Sequence, residues 1–529
     1  MNADVNSLSR TARDAVRSGN WALINSCAKK ILKQHPASAE GHFLLGLGQK
    51  ATGKPDSAVK SFKRAILSDA GRYDAGIELA SVYMAIAEYS AALALLNQFE
   101  SSLAGSPMYL DIAANLYSRL GHHSMAKKLF LRASELQPNI DRFSASLAQS
   151  YVYLGNTNAA IAIYETLIRK NPAHRRNHFE LARLKKARDN THIDQMLTLV
   201  STTRPTDNIF LYYAIGKEFE DLGKWQQAFH YYQLAGEIVT TSSDYQVSSD
   251  VHLIDKVIEV CNLEWLQKAE AHPTPQNHQP VPIFIVGLPR SGTTLVDRII
   301  SSHSEVESID ETFYLQAAIR QAAKSKDAGA MTEKTLIAAS RVDPKLIREA
   351  YFKSIEHRLD HRNYFIEKLP ENFTYLGYIT KAFPEAKIVC LDRNPLDVCF
   401  ALFKQSFFRY AYNLADLSAY YIAFRKLKDH WQTSLSEKII EVSYEELVSD
   451  QETVTRRLLN QLGLEFQVAC VNFDKNTNPT SSASAAQVRE KIHTESVNKW
   501  QNFKQELQPL IAELTNVGID PGASRYSSI

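Results

Sequence analysis

Along the first half of the chain, apolar and small positions recur every 34 residues. Ala58, Ala92, Ala126 and Ala160 hold one phase, and Ala228 falls two periods after Ala160. Phe62, Leu96, Phe130, Tyr164 and Tyr232 hold a second phase, and Gly53, Ala87, Gly121, Gly155 and Gly223 a third. The pattern predicts two antiparallel helices per unit. Alanine lets the helices approach closely, and the large apolar residue fills the groove behind it. Glycine serves the turn between them, where a Cβ would crowd or a positive φ is needed. Pro138 and Pro172 close two of the units, and Pro36 suits a degenerate first one. The unit over 175–208 keeps phase but carries Asp189 and Asp194 where the glycine and alanine belong, so a distortion is expected there.

This spacing is similar to the tetratricopeptide repeat. A single unit cannot bury its own apolar face, so units stack. Six or seven are expected within residues 5–243, as an α-helical superhelix. Such an array is expected to be a scaffold whose concave face docks a peptide or protein, or packs against the second half. Tyr117, Tyr151 and Tyr153 are expected to line the core or that groove. Residues 244–280 are assigned to a linker, because the stretch ends in the loop-like run from His272 to Pro280.

Beyond the linker the period changes. Val281 to Leu288 is a continuous apolar run, as a buried parallel strand requires. It leads into Pro289-Arg-Ser-Gly-Thr-Thr294 and then a helical stretch from Leu295. Strand, tight loop and helix in this order cradle an anion with loop N–H groups and the helix N-terminus. Gly287, Gly292 and Thr294 have the spacing of a nucleotide-phosphate loop, but Thr293 stands where its lysine should be. That argues against ATP or GTP hydrolysis. Arg290 offers a fork of donors instead.

Pro289 to Leu295 resembles the 5′-phosphosulfate loop of sulfotransferases, particularly the protein-tyrosine branch, and bacterial proteins that join tetratricopeptide repeats to such a domain. The resemblance implies an α/β, P-loop-like domain with a parallel central sheet over 281–529. It also implies 3′-phosphoadenosine 5′-phosphosulfate (PAPS) as donor, 3′-phosphoadenosine 5′-phosphate as product, and no metal. Arg290, Ser291, Gly292, Thr293 and Thr294 would hold the 5′-phosphosulfate. Glu311, in Ile309-Asp-Glu-Thr312, matches the general base, with Asp310 beside it. Lys368, in Phe365-Ile-Glu-Lys-Leu-Pro370, matches the lysine that stabilises the departing bridging oxygen. Arg393 matches the 3′-phosphate arginine, and Tyr444 a tyrosine on the nucleotide. Ser484, Gln487 and Lys499 fit a serine, Gln-Val and Lys-Trp pattern; the serine assists the transferring group, with Ser482 as competitor, and the lysine serves the 3′-phosphate side. One departure stands out. Eight residues after Arg393 the family has a serine on the 3′-phosphate, and this chain has Ala401, with Ser406 five further on.

Composition narrows the rest. Lys plus Arg number 60 against 58 Asp plus Glu, too balanced for a dominant nucleic-acid footprint. Cys27, Cys261, Cys390, Cys399 and Cys470 lack metal-site spacing and read as reduced thiols. No leader-like apolar segment or membrane-length run is visible, so a cytoplasmic protein is expected. His303, His361 and His493 match no histidine-base motif and are assigned structural roles. The favoured acceptor is a peptide or protein tyrosine. A carbohydrate or small-molecule hydroxyl, a kinase on the same loop architecture, and a repeat-based binding protein with a decayed transferase domain are the alternatives.

Overall fold

The computed structural model describes residues 3–103, 105–268, 279–327, 331–360 and 362–522. His361 and the proline-rich stretch from His272 to His278 lie outside them. The chain forms two compact units, residues 1–150 with 352–358, and residues 151–351 with 359–529.

The first unit is helical and carries the 34-residue pattern. Ala39–Ala51 pairs with Pro55–Ser68, Tyr73–Ala85 with Tyr89–Phe99, and Pro107–Arg119 with His123–Leu136. Ala58 and Phe62 are fully buried, and a Cβ on Gly46 would meet the Phe62 ring at 2.6 Å. The turn positions adopt left-handed backbone, with φ of 69° at Gly53 and 82° at Gly121. Ala87 takes φ 62° at the equivalent place despite its Cβ.

The second unit begins with the remaining repeats. Thr157–Lys170, Arg175–Leu184 and Thr191–Ser201 precede the pair Ile209–Asp221 and Trp225–Ser242. The distortion expected over 175–208 is present. Arg175–Leu184 is cut to 10 residues, and it packs directly against Ile209–Asp221. A buried polar chain stands there: the His178 and His192 rings share a hydrogen bond of 2.8 Å, and His192 reaches Glu218 at 2.6 Å. Within the stretch assigned to a linker, Val247–Val260 is a helix packed on Leu414–Ser434. Its buried Ile254 and Val257 have helical spacing, which gave that segment an apolar face to cover.

A five-stranded sheet follows: β1 (Val281–Val286), β2 (Val306–Ser308), β3 (Tyr364–Lys368), β4 (Lys387–Asp392) and β5 (Ile439–Ser443). The order is β2-β3-β1-β4-β5 and every pairing is parallel. Both faces are covered, which is why β1 reads as an unbroken apolar run. Ile283 and Ile285 pack with Val296, Ile299 and Leu458. Phe284, pointing the other way, meets the rings of Tyr351 and Phe383. The architecture is thus all-helical repeats followed by an α/β domain with a parallel central sheet.

Candidate active site

Register brings the candidate residues to one edge. Lys368 pairs with Ile285 near the end of β1, and Asp392 with Ser443 at the ends of β4 and β5. Arg290 follows β1, Asp310 and Glu311 follow β2, Arg393 follows β4 and Tyr444 follows β5. All stand at the carboxyl end of the sheet, where parallel α/β folds bind ligands.

The loop after β1 needs unusual backbone. Gly287 and Gly292 have φ of 144° and 105°, and Arg290 sits at 68° although it is not glycine. A Cβ on Gly287 would lie 3.0 Å from the Leu391 carbonyl, and one on Gly292 would lie 2.6 Å from the Tyr444 ring. Helix Thr293–Ile300 starts at once, with Thr293 and Thr294 buried. Its positive N-terminal end therefore faces the loop.

Arg290 is the hub of one group. Its Nη1 donates to Ser484 Oγ at 2.5 Å and its Nη2 to Gln487 Oε1 at 3.2 Å. Ser482 instead turns inward and accepts the Ser484 N–H. Arg393 Nη1 donates to the Arg290 carbonyl at 2.7 Å, and its Nη2 to the Ser496 carbonyl at 2.8 Å. The Arg393 guanidinium lies 4.5 Å from the Tyr444 ring centre, and the Tyr444 hydroxyl meets Ser496 Oγ at 2.6 Å. Burial, and then the nearby Arg393 and Arg183, push Arg290 down to about 10. Such a group is short of negative charge.

Lys368 is the hub of the other. It is fully buried, pairs with Glu311 Oε1, donates to Thr294 Oγ1 at 3.3 Å and lies 4.0 Å from Asp310 Oδ1. Burial alone would lower the Lys368 pKa, but the neighbouring Glu311, Asp310 and Asp297 raise it. Asp310 points elsewhere than Glu311: its carboxylate accepts Thr480 Oγ1 at 3.0 Å, and the Ser481 N–H and hydroxyl at 2.5 and 2.7 Å. Burial holds Asp297, on helix Thr293–Ile300, up at about 6.

Three sets of contacts were not visible in the sequence. Asp310 anchors the loop that carries Ser484. The repeats grip the same loop: the Tyr153 carbonyl accepts the Thr480 N–H at 3.0 Å and Arg489 Nη2 at 3.1 Å, and Arg489 lies over Gly155. Lys499 pairs with Glu220, a repeat residue, at 2.6 Å. Only the adjacency of Asp310 to Glu311 offered a signal; the repeat contacts span more than 250 residues of sequence and left none. Ser406 offers its carbonyl to the Tyr412 hydroxyl at 2.8 Å, and His303 Nε2 bonds the Glu465 carbonyl at 2.9 Å.

The arrangement has room in its bonding for an anionic ligand. Arg290 Nε, Arg393 Nε and Ser291 Oγ are buried without hydrogen-bond partners. Orphaned cationic and hydroxyl donors at a helix N-terminus fit a phosphosulfate. Among the described residues no three His, Cys, Asp or Glu side chains are grouped to hold a metal ion, and no helix is long and apolar enough to cross a membrane.

Comparison with known proteins agrees with this fold. Residues 282–468 match the sulfotransferase family, and residues 107–140 and 145–184 match tetratricopeptide repeats. A tetratricopeptide-repeat region is fused here to a sulfotransferase-family domain. That domain is distantly related to protein-tyrosine sulfotransferases: protein-tyrosine sulfotransferase 1 of Danio rerio is 24% identical over 264 residues, 46% of this chain and 73% of the relative. An uncharacterised protein of Aquifex aeolicus (strain VF5) is 29% identical over 330 residues, 59% of this chain. The match spans 43% of that relative's length, less than half. Among solved structures, the sulfotransferase domain from the curacin biosynthetic pathway aligns with 45% of this chain and 98% of its own, at 18% identity and a TM-score of 0.32.

Proposed function

We propose that the sulfotransferase-family domain moves the sulfuryl group of PAPS to a hydroxyl, and that the acceptor is a tyrosine phenol in a peptide or protein. The observation that carries the reading is the convergence of Arg290, Ser484, Arg393, Lys368 and Glu311 at one end of the parallel sheet, with orphaned donors among them. When bound, PAPS supplies an activated sulfuryl group on a phosphate leaving group. The chain's own residues then have distinct tasks. The loop of Arg290 to Thr294 holds the 5′ end, and Arg393 with Tyr444 holds the nucleotide side. Glu311 accepts the proton that the acceptor hydroxyl must lose. Lys368, buried and unable to swing away, offsets negative charge on the bridging oxygen, and Ser484 with Arg290 offsets it on the transferring group.

The tyrosine preference rests on the relationship to the protein-tyrosine enzymes, and on the repeats as a peptide-docking arm. Tyr153 of the repeats stands in the field of Asp310 and Glu311; burial first, and these charges after Glu180, raise its pKa. Through Thr480, which bonds both the Tyr153 carbonyl and Asp310, a repeat residue is tied to the neighbour of the candidate base. The test is mass spectrometry of a mixed acceptor library incubated with PAPS or ATP, with Glu311→Ala as control. Sulfated tyrosine peptides from PAPS, and far fewer with the variant, are expected. Transfer from ATP alone would sink the donor, product on sugars alone would sink the acceptor, and equal product from Glu311→Ala would remove the base.

A further inference from the structure

Close to the candidate base stands a carboxylate with no cation of its own. β3 ends at Lys368, and the turn Pro370–Tyr375 follows it at the carboxyl end of the sheet. The Pro370 carbonyl accepts the Gly287 N–H at 3.2 Å, which ties that turn to the loop after β1. Glu371 is half-buried, and among the described residues its carboxylate has neither an ion-pair partner nor a side-chain donor. Burial raises its pKa and its own N–H lowers it; Glu311 then adds to the rise and Lys368 opposes it. Lys368 is the one described cation that acts on Glu371, and Glu311 already holds it. A carboxylate so placed is short of positive charge.

An aromatic path runs from solvent toward it. Phe407 is half-exposed, and its ring centre lies 4.5 Å from that of Phe408. Phe408 lies 5.7 Å from Tyr410, which stacks on Tyr420 at 3.7 Å with the planes 2° apart. Helix Leu414–Ser434 brings that stack to the turn: Phe424, one turn on from Tyr420, meets the ring of Phe373 at 4.9 Å, two residues past Glu371. Burial raises the pKa of both tyrosines, and Glu371 and Asp250 add to the rise in each. Asp250 is bonded by the Tyr245 hydroxyl, and Arg409 lies over the Tyr245 ring, 4.9 Å from its centre. Tyr410 is only 7% exposed, yet its hydroxyl has no hydrogen-bond partner. Glu311 keeps 31% of its side chain exposed, so the candidate base and Glu371 both reach solvent at this end of the sheet. Aromatic faces attract cations, and a phenol oxygen accepts from an ammonium or guanidinium. An unpaired carboxylate, an orphaned hydroxyl and an aromatic approach together fit a positive charge.

We propose that Glu371, with the Tyr410 hydroxyl, binds a cation on the acceptor, so that the preferred substrate is a tyrosine peptide with a lysine or arginine beside the tyrosine. The inference rests on the reading of sulfuryl transfer to tyrosine and specifies which tyrosines are taken.

The test uses the full chain, PAPS and three peptides of one sequence that carry lysine, alanine or glutamate on either side of a single tyrosine. The wild type is expected to show a kcat/KM roughly tenfold higher for the lysine peptide than for the alanine peptide, the worth of a hydrogen bond between charged groups. The glutamate peptide is expected to fall below both. Glu371→Gln, which keeps the shape and loses the charge, is expected to bring the lysine-to-alanine ratio near one, and Glu371→Asp to retain a preference for lysine. Tyr410→Phe is expected to lower the ratio without abolishing it. Equal rates for the three peptides in the wild type, or a preference for glutamate, overturn the assignment while leaving sulfuryl transfer to tyrosine standing, and they do so even if no variant folds. A full lysine preference in Glu371→Gln overturns it too. Sulfation of none of the peptides overturns the tyrosine reading itself, and the cation site falls with it.

Discussion

Asp310→Asn isolates the contribution of charge to the loop that carries Ser484. Asparagine matches aspartate in shape and tolerates the left-handed backbone, here φ 64°. The amide oxygen can keep the Ser481 N–H and hydroxyl, and the Thr480 hydroxyl can rotate to accept the new NH2. Every contact survives, so what is lost is the ionised acceptor. Hydrogen bonds to charged groups contribute about 1.5–3 kcal/mol against about 0.5–1.5 for neutral ones. Across the contacts to Thr480 and Ser481 the expected cost is about 2–3 kcal/mol, and Lys368 loses a carboxylate 4.0 Å away. Asp310→Ala strands all the donors and puts a Cβ without a polar tip at positive φ, for a cost of about 5 kcal/mol. Urea unfolding followed by tryptophan fluorescence reads this well, because Trp225, Trp265, Trp431 and Trp500 all lie in the second unit. The midpoint should fall for Asp310→Asn and further for Asp310→Ala, with weaker binding of 3′-phosphoadenosine 5′-phosphate in step. A wild-type midpoint for Asp310→Asn, or an alanine variant no worse than it, would refute the claim that this carboxylate anchors the loop.

Other outcomes follow from single observations. Burial pushes Glu367 up to about 7 from the ordinary 4.5, although Tyr351 and Asn372 donate to it. Its contribution to stability is therefore full below about pH 4.5 and lost as pH rises to about 7. That amounts to about 3 kcal/mol, so the stability difference between Glu367→Gln and wild type should shift toward the variant across that window. A pH-independent difference in urea midpoints would contradict it. Gly292→Ala drives a Cβ into the Tyr444 ring and should abolish binding of 3′-phosphoadenosine 5′-phosphate in calorimetry, where unchanged affinity would show that the loop tolerates the displacement. Ala87→Gly relieves a left-handed alanine worth about 1–2 kcal/mol, partly offset by glycine's freedom in the unfolded chain, for a net gain of roughly 0.5 kcal/mol in urea unfolding; a loss would mean that the strain is absent.

Much of this protein was legible in the order of its residues because the determining physics is local. A 34-residue recurrence sets helix crossings and turns one unit at a time, and Gly53, Gly121 and Gly155 adopt the positive φ that their phase demands. The apolar run into Pro289-Arg-Ser-Gly dictates strand, loop and helix for the same reason, and Arg290, Lys368 and Arg393 owe their places to strand ends. Tertiary structure alone decided what meets across sequence. It set Arg290 on Ser484 and separated Asp310 from Glu311. It gave Lys499 to Glu220, and set the Tyr153 carbonyl as a clamp on the loop that carries Ser484. Those choices depend on which buried charge finds a partner once the chain has closed, and a buried charge has no periodicity to announce its partner.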